Sequence, residues 1–456
     1  MNILVINGSP KGEYSITLQT VKFLEKKFPD HQFNVIHAGQ KIKALERDFV
    51  PVIEAVTNAD LILYSYPVYT FIVPYQLHRF IELVKESGVD LAGKFVTQLS
   101  TSKHFYDVTA HRFIQDNCQD LEMKYIRGLS ADMEDLLTDK GQREAIAFMD
   151  RVLWSVNEDH YEPFSQRPSP PNHKVVFPPF EMLVCEVQES DISADRPGDV
   201  VILTDCEPDN IQLKSMIDQF RYQFPRKTRV VNLREYPFRG GCLGCFHCAA
   251  DGKCVYTDGF DEYLRSEIQT AEAIVIAFTI KDHSMGSTFK LYDDRQFCNG
   301  HRTVTMGMPM GYLVSGNYSQ EPNLRTIIEA RAEVGNNFLA GVATDEVRPE
   351  WEITELAKSL NYAIEQHYVP PQNFYGVGGM KIFRDLIYQM QGMMKADHKF
   401  YKSHGQYDFP QKKKGTILKM YLVGLLISNP KIKAKMGNAM NEGMIAPYKK
   451  LIDSIK

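Results

Sequence analysis

Ile3-Leu4-Val5-Ile6-Asn7-Gly8-Ser9-Pro10-Lys11-Gly12-Glu13-Tyr14-Ser15-Ile16-Thr17 and Val200-Val201-Ile202-Leu203-Thr204-Asp205-Cys206-Glu207-Pro208-Asp209 open the two halves of this chain. Each is a short apolar run that ends in a polar loop, the pattern of a strand buried on both faces. Outward from the first lie further runs at 33–37, 60–66, 95–100 and 124–128, with helical patterns between them at 17–28 and 75–86. Strand–helix alternation at this spacing implies a parallel sheet covered on both faces. Outward from the second, Ala271-Glu272-Ala273-Ile274-Val275-Ile276 matches Ala59-Asp60-Leu61-Ile62-Leu63-Tyr64, and the two run on ungapped through the next helix. The expectation is one α/β plan carried twice, in three-layer domains at 1–155 and 199–366. A linker at 156–198 holds Pro163, Pro168, Pro170, Pro171, Pro178 and Pro179. Residues 367–456 read as a basic, Met-rich helical tail, with breaks expected at Gly376–Gly379, around Pro410 and at Pro430.

The length of 456 residues suits about three domains, and 44% apolar residues can build a core. The net charge of −5 is unevenly spread: residues 371–456 carry fifteen Lys and Arg against five acids. An acidic body of this kind predicts no nucleic-acid partner. The first residues enter a strand directly, so no secretory leader is expected. The longest apolar run of the tail, 420–427, is far short of the roughly 20 residues of a spanning helix. A cytoplasmic, reducing location is therefore expected, where clustered cysteines serve as metal ligands or redox centres.

Gly8 permits a tight exit from the first strand. Ser9, Ser15 and Thr17 offer hydroxyls, Lys11 a cation, and a helix starting near Ser15 points its N–H groups at the loop. That set suits a phosphate. It is neither a Walker loop nor G-x-G-x-x-G. An ordinary βα loop with Ser15 as helix cap reads equally well from these residues alone. Two neighbouring loops shift the balance: Tyr66-Pro67-Val68-Tyr69-Thr70-Phe71, and Ser100-Thr101-Ser102-Lys103-His104-Phe105-Tyr106. Across about residues 1–150 the chain resembles the flavodoxin-like NAD(P)H-dependent FMN reductases, whose loops read Gly-Ser-Pro-Arg/Lys and Pro-x-Tyr. The resemblance implies that Ser9, Lys11, Ser15 and Thr17 hold the FMN phosphate. Pro67, Val68, Tyr69 and Thr70 then line the flavin ring, with Thr101 and Ser102 on the third loop. Tyr69 and His104 are the nearest candidates for contacts to substrate or to flavin N5.

The second copy carries what the first lacks: Cys242, Cys245, Cys248 and Cys254, spaced C-x2-C-x2-C-x5-C. They lie on an insertion after the copy's second strand, at the carboxyl edge of the sheet where ligands of open α/β sheets bind. Three cysteines so spaced can wrap one face of a cubane, with the fourth arriving after a turn. Zinc sites more often pair two separated C-x2-C knuckles. Free or redox-active thiols are the third reading. Cys118, Cys185, Cys206 and Cys298 are scattered singly and read as core or incidental. The insertion also resembles that of the iron–sulfur flavoproteins, which implies a [4Fe–4S] cluster near the flavin of the partner subunit. Asp205, Glu207 and Asp209 would repel a phosphate from the second copy's own loop. This half therefore reads as the cluster-bearing member of a fused dimer with one flavin. A milder alternative leaves Ser315, Gly316, Asn317 and Lys290 in contact with a nucleotide.

The function so implied is a flavin-dependent oxidoreductase: FMN in the first domain exchanges electrons with NAD(P)H or a ferredoxin-like donor, and with a [4Fe–4S] cluster on the second. The alternatives are a cluster-free NAD(P)H:FMN or quinone reductase, and a non-enzymatic electron carrier or redox-sensing scaffold. Partners are then a small-molecule or protein electron donor and acceptor, and the fused pair could still form a homodimer. In the tail, Lys412, Lys413 and Lys414 precede the apolar run and Lys431, Lys433 and Lys435 follow it. That pattern suits either peripheral contact with a membrane or a helix packed over the acidic body.

Overall fold

The computed structural model describes residues 1–164, 196–431 and 439–455, so most of the proline-rich linker lies outside the described residues. The first domain begins with β1 (Asn2–Asn7), α1 (Ile16–Lys27), β2 (Gln32–Ile36), α2 (Ala38–Leu45), α3 (Val50–Asn58) and β3 (Leu61–Pro67). It continues with α4 (Tyr75–Glu86), β4 (Phe95–Ser102), α5 (Asp107–Asp120), β5 (Lys124–Tyr125), β6 (Leu129–Asp132) and α6 (Asp139–Asn157). The second domain comprises β7 (Val200–Thr204), α7 (Ile211–Gln223), β8 (Thr228–Asn232), α8 (Phe260–Tyr263), β9 (Ala273–Thr279) and α9 (Gly286–Arg295). It ends with β10 (Met310–Ser315), α10 (Pro322–Gly335), β11 (Leu339–Thr344) and α11 (Pro349–Gln366).

Both sheets are parallel and share one strand order. The first runs β2-β1-β3-β4-β5, with β6 pairing β4, and the second runs β8-β7-β9-β10-β11. The registers correspond: Val5 pairs with Val35 and Leu63, and Ile202 with Val230 and Val275. Successive residues of β1 feed opposite faces. Leu4 and Ile6 enter one core cluster, and Ile3 and Val5 the other. This is why the strand is an unbroken apolar run rather than an alternating one. The fold is thus two tandem flavodoxin-like three-layer domains, as expected. Of the expected fifth strand at 124–128 only Lys124–Tyr125 is strand, as β5, and β6 lies beyond its expected end.

The two domains meet through α4 and α9, and the contact is reciprocal. The Ser287 N–H and hydroxyl donate to Glu82 at 2.9 and 2.7 Å, while the Tyr75 N–H donates to Asp294 at 2.7 Å. Ser287 follows Tyr75, and Asp294 follows Glu82, by the same 212 positions that separate Ala271 from Ala59. Each helix therefore caps the start of the other with an equivalent carboxylate, as in a two-fold dimer interface. The turns ahead of these helices match too. Thr70 and Phe71 hold φ of 41° and 73°, and Asp282 and His283 hold 53° and 60°. Two consecutive non-glycine residues at positive φ are costly, and both copies keep them at the same place.

Beyond α11, α12 (Phe374–Gln389) and α13 (Lys395–Ser403) follow. The break expected at Gly376–Gly379 is absent, because α12 runs through it. These glycines serve close packing against α10. A Cβ on Gly379 would stand 2.8 Å from Val334 Cγ2 and 3.0 Å from a Phe105 ring carbon, and one on Gly376 would stand 2.6 Å from the Glu333 carbonyl. The compact body ends at Phe400, and residues 401–456 form a second unit. In that unit Tyr407 and Phe409 stack, with the Lys412 ammonium over both rings. Among its described residues it also holds α14 (Lys414–Ile427) and α15 (Ala439–Asp453).

Candidate functional site

The loop after β1 folds back on itself. The Ser9 N–H donates to Asn7 Oδ1 at 3.2 Å, Ser9 Oγ accepts from the Lys11 N–H at 3.3 Å, and the Gly12 N–H returns to the Ser9 carbonyl. Ser15 caps α1 by accepting from the Leu18 N–H at 3.4 Å. The next two N–H groups, of Ile16 and Thr17, lie in the first turn, where a helix offers no acceptor of its own. Thr17 Oγ1 meets Thr101 Oγ1 at 2.6 Å, so the first turn of α1 touches the end of β4. Ser9, Ser15, Thr17, Thr101 and Ser102 are all buried. Clustered hydroxyls, a helix N-terminus and Lys11 form the donor set of a phosphate cradle, and so fit the FMN phosphate.

Pro67 ends β3, Val68, Tyr69 and Thr70 follow in the loop, and the Val68 N–H donates to the Thr101 carbonyl at 3.4 Å. Tyr69 faces the second domain. Its ring meets Phe297 edge-on at 5.5 Å, and burial holds its hydroxyl well above the usual tyrosine range, assisted by Cys242, Asp294 and Cys245. His104 is on a different front. Its Nδ1 lies 2.9 Å from Asp107, its side chain is half exposed, and its neighbours Phe105 and Tyr106 pack under α12.

The four-cysteine segment lies against this edge of the first domain. Lys11 sits over the Phe246 ring at 5.0 Å. A Cβ on Gly244 would stand 2.1 Å from the Tyr69 hydroxyl and 3.1 Å from Lys11 Cε, so only glycine, at φ 60°, allows this approach. Gln76 of α4 donates to the Cys242 carbonyl at 3.2 Å, and Lys43 of α2 donates to the Arg239 carbonyl. Burial lowers the Lys11 pKa, and Cys242 and Cys245 act to raise it.

Within the segment, the Gly244 N–H points at Cys242 Sγ at 3.4 Å, and Cys248 Sγ donates to the Phe297 carbonyl at 3.1 Å. Burial raises the thiol pKa of Cys242, and pushes that of Cys248 up to about 11 with the neighbouring Cys254 adding to it. Thiols in this setting become thiolates when a cation compensates them. Among the described residues, the ligand-type atoms that gather within 4.8 Å of one another belong to His78, Glu82 and Asp282, not to cysteines.

Both ends of the segment are pinned by Arg295, which the motif alone does not single out. Its guanidinium binds Asp258 with two bonds of 2.7 and 2.6 Å and the Gly240 carbonyl at 3.1 Å. Tyr256, Phe260 and Phe238 surround it at 4.6, 5.1 and 5.7 Å. Gly240 precedes Cys242 and Asp258 follows Cys254, so one fully buried cation sets the mouth of the loop.

In the second copy's first loop, burial raises the Asp205 carboxyl to about 6, and Arg234 pairs with Glu207 at 2.6 Å. Lys290 does not serve a nucleotide. It is buried at the interface, pairs with Asp294 and donates to the Tyr69 carbonyl at 2.8 Å. Ser315 and the Gly316 N–H are likewise engaged by Asp345 at 2.7 and 2.9 Å. His78 and Glu82 occupy the positions equivalent to Lys290 and Asp294, which makes them the symmetry-related half of the same ionic seam.

Residues 1–106 match the family described as having a flavodoxin-like fold. A comparison with the curated proteins finds no match. Among solved structures, similarity extends to an NADH:FMN oxidoreductase in its apo form, at 19% identity and a TM-score of 0.31 over 37% of this chain and 97% of that one. The NADPH-quinone reductase of P. pentosaceus aligns at 16% identity and a TM-score of 0.27, over 33% and 98%. The FMN-dependent NADH-azoreductase of Bacillus anthracis aligns at 11% and 0.27, over 35% and 99%.

Proposed function

We propose that the chain is an NAD(P)H-dependent flavin oxidoreductase, with FMN held by the first domain and a [4Fe–4S] cluster by Cys242, Cys245, Cys248 and Cys254 of the second. The observation that carries this reading is the meeting of Lys11 and Tyr69 with the cysteine segment across the domain interface. When bound, FMN supplies hydride and single-electron chemistry, and an iron–sulfur cluster supplies one-electron transfer beside it. The protein's part is placement. Ser9, Ser15, Thr17 and the first turn of α1 receive the phosphate, and Lys11 balances its charge. Pro67 to Thr70 form the wall for the ring. Phe246, Gly244 and Phe297 close the Tyr69 side of the site, which keeps bulk water from it.

Matched capping of α4 and α9 supports an origin as a two-fold dimer joined into one chain. The acidic loop of the second copy supports the loss of one of two flavins. The face that would pair two subunits is consumed within the chain, so one chain is a complete unit. Its partners are NAD(P)H or a ferredoxin-like protein as donor and a small-molecule or protein acceptor, in the cytoplasm.

Anaerobic purification with a visible spectrum and assays of iron and acid-labile sulfide tests the reading. Flavin absorption together with about four iron atoms per chain is the expected result. Flavin without iron would remove the cluster and leave an NAD(P)H:FMN or quinone reductase. Lys11→Gln removes one charge-assisted phosphate contact and should weaken FMN binding roughly 10- to 100-fold in a flavin-fluorescence titration. An unchanged affinity would refute the phosphate assignment.

A further inference from the structure

Among the described helices, α14 departs from the pattern of a soluble surface helix. From Gly415 to Ile427 Lys419 is its one charged residue. Leu418, Met420, Tyr421, Leu422, Leu425 and Leu426 are exposed over 53–72% of their surfaces. These positions do not form one stripe with a polar face behind it; they surround the helix. A helix that is apolar all round belongs in a protein core or in lipid. α15 adds Met444, Tyr448, Leu451 and Ile452, all exposed.

The charge around these helices has one sign. Residues 401–456 contain eleven lysines, no arginine and three carboxylates. Lys412, Lys413 and Lys414 stand immediately before the apolar turns, and Lys431, Lys433 and Lys435 follow them. A second copy of this unit would bring a like-charged lysine cluster against the first, which disfavours self-association through this face. A single protein groove would cover one side of α14 and leave the other wet. An anionic bilayer surface satisfies both features, because acyl chains surround the helix and headgroups pair with the lysines. No described helix is long and apolar enough to cross a membrane. A 14-residue helix is about 21 Å long against a hydrocarbon core of about 30 Å.

We propose that residues 401–456 dock the chain on an anionic phospholipid surface, with α14 lying in the boundary between headgroups and acyl chains and the lysines flanking it in the headgroup layer. The test is co-sedimentation of the full chain with phosphatidylcholine vesicles, with and without phosphatidylglycerol. The chain should pellet with the anionic vesicles, remain in solution with the neutral ones, and be released by salt. Lys412→Gln, Lys413→Gln and Lys414→Gln together should weaken binding roughly 100-fold, at about five-fold per lysine. Leu422→Glu with Leu425→Glu should abolish it. Circular dichroism and thermal melting check that both variants keep the wild-type fold. Failure of the wild-type chain to pellet with anionic vesicles overturns the proposal. Pelleting that survives both sets of substitutions overturns it as well. If light scattering shows a dimer that Leu422→Glu and Leu425→Glu dissolve, with no vesicle binding, the occupant is a second copy and the lipid assignment is wrong.

Discussion

Replacing His283 with phenylalanine, the residue its counterpart Phe71 carries, measures how far the domain interface depends on one buried cation. The imidazole lies between two carboxylates, with Nε2 2.9 Å from Asp120 at the end of α5 and Nδ1 2.9 Å from Glu321 ahead of α10. It therefore ties the first domain to the second, and its side chain is 5% exposed. Burial alone would lower its pKa. The hydrogen bonds to Asp120 and Glu321 outweigh burial and raise it from 6.5 to about 9. The folded pKa lies above the unfolded one, so the stabilisation is complete below about pH 6.5 and disappears as pH rises through about 9. At about 1.4 kcal/mol for each pKa unit, the contribution is about 3 kcal/mol. Urea denaturation of the wild type should show at least that loss between about pH 6 and about pH 9.5. His283→Phe should start about 2–4 kcal/mol lower, because Glu321 loses its partner while Asp120 keeps Lys85 at 2.9 Å. The gap between wild type and variant should shrink by about 3 kcal/mol as pH rises from about 6.5 to about 9, because the buried thiols, whose pKa burial raises, lose stability equally in both proteins. Parallel pH profiles for the two would refute the assignment of the interface charge to His283.

Arg295→Met leaves the Asp258 carboxylate buried without its bidentate partner, and should cost about 3–5 kcal/mol in chemical denaturation. Adding Asp258→Asn should recover part of that loss; a double variant no better than the single one would show that the pair is not what holds the segment. Gly379→Ala pushes a methyl into Val334 and Phe105 and should destabilise by about 1–3 kcal/mol. Gly378→Ala on the same helix meets nothing closer than 3.9 Å and should be neutral or stabilise by up to about 1 kcal/mol. Equal melting temperatures for these two alanine variants would refute the close packing of α12 on α10.

Element by element, legibility followed the range of the interactions involved. α4 was delimited from its pattern alone as Tyr75–Glu86, because an amphipathic period and a preceding Pro74 are local. The continuation of the fifth strand into β6 is not legible, because β5 and β6 follow one another along β4 with a slip of one residue between Val96↔Tyr125 and Leu99↔Leu129 that only the pairing reveals. The glycines of α12 read from the sequence as a break, which the structure does not show. Glycine weakens a helix in isolation, and only the backbone of α10 beside it turns the missing side chains into an advantage. Lys290 reads from the sequence as an alternative nucleotide contact beside Ser315, Gly316 and Asn317. Its burial beside Asp294 depends on a helix more than 200 residues earlier in the chain.

What the sequence determined by itself is the repeated parallel plan, the donor set of the first loop and the cysteine spacing. These depend on residue type and separations of a few positions, and short-range sterics and hydrogen bonding act at that range. Only the tertiary structure decided that Lys11 and Tyr69 meet Gly244 and Phe246, that Arg295 closes the mouth of the cysteine segment, and that α4 and α9 cap one another. Those contacts join residues 37 to more than 200 positions apart. They exist because two apolar helix faces must be buried against each other, and docking those faces sets where every loop at the sheet edges comes to rest.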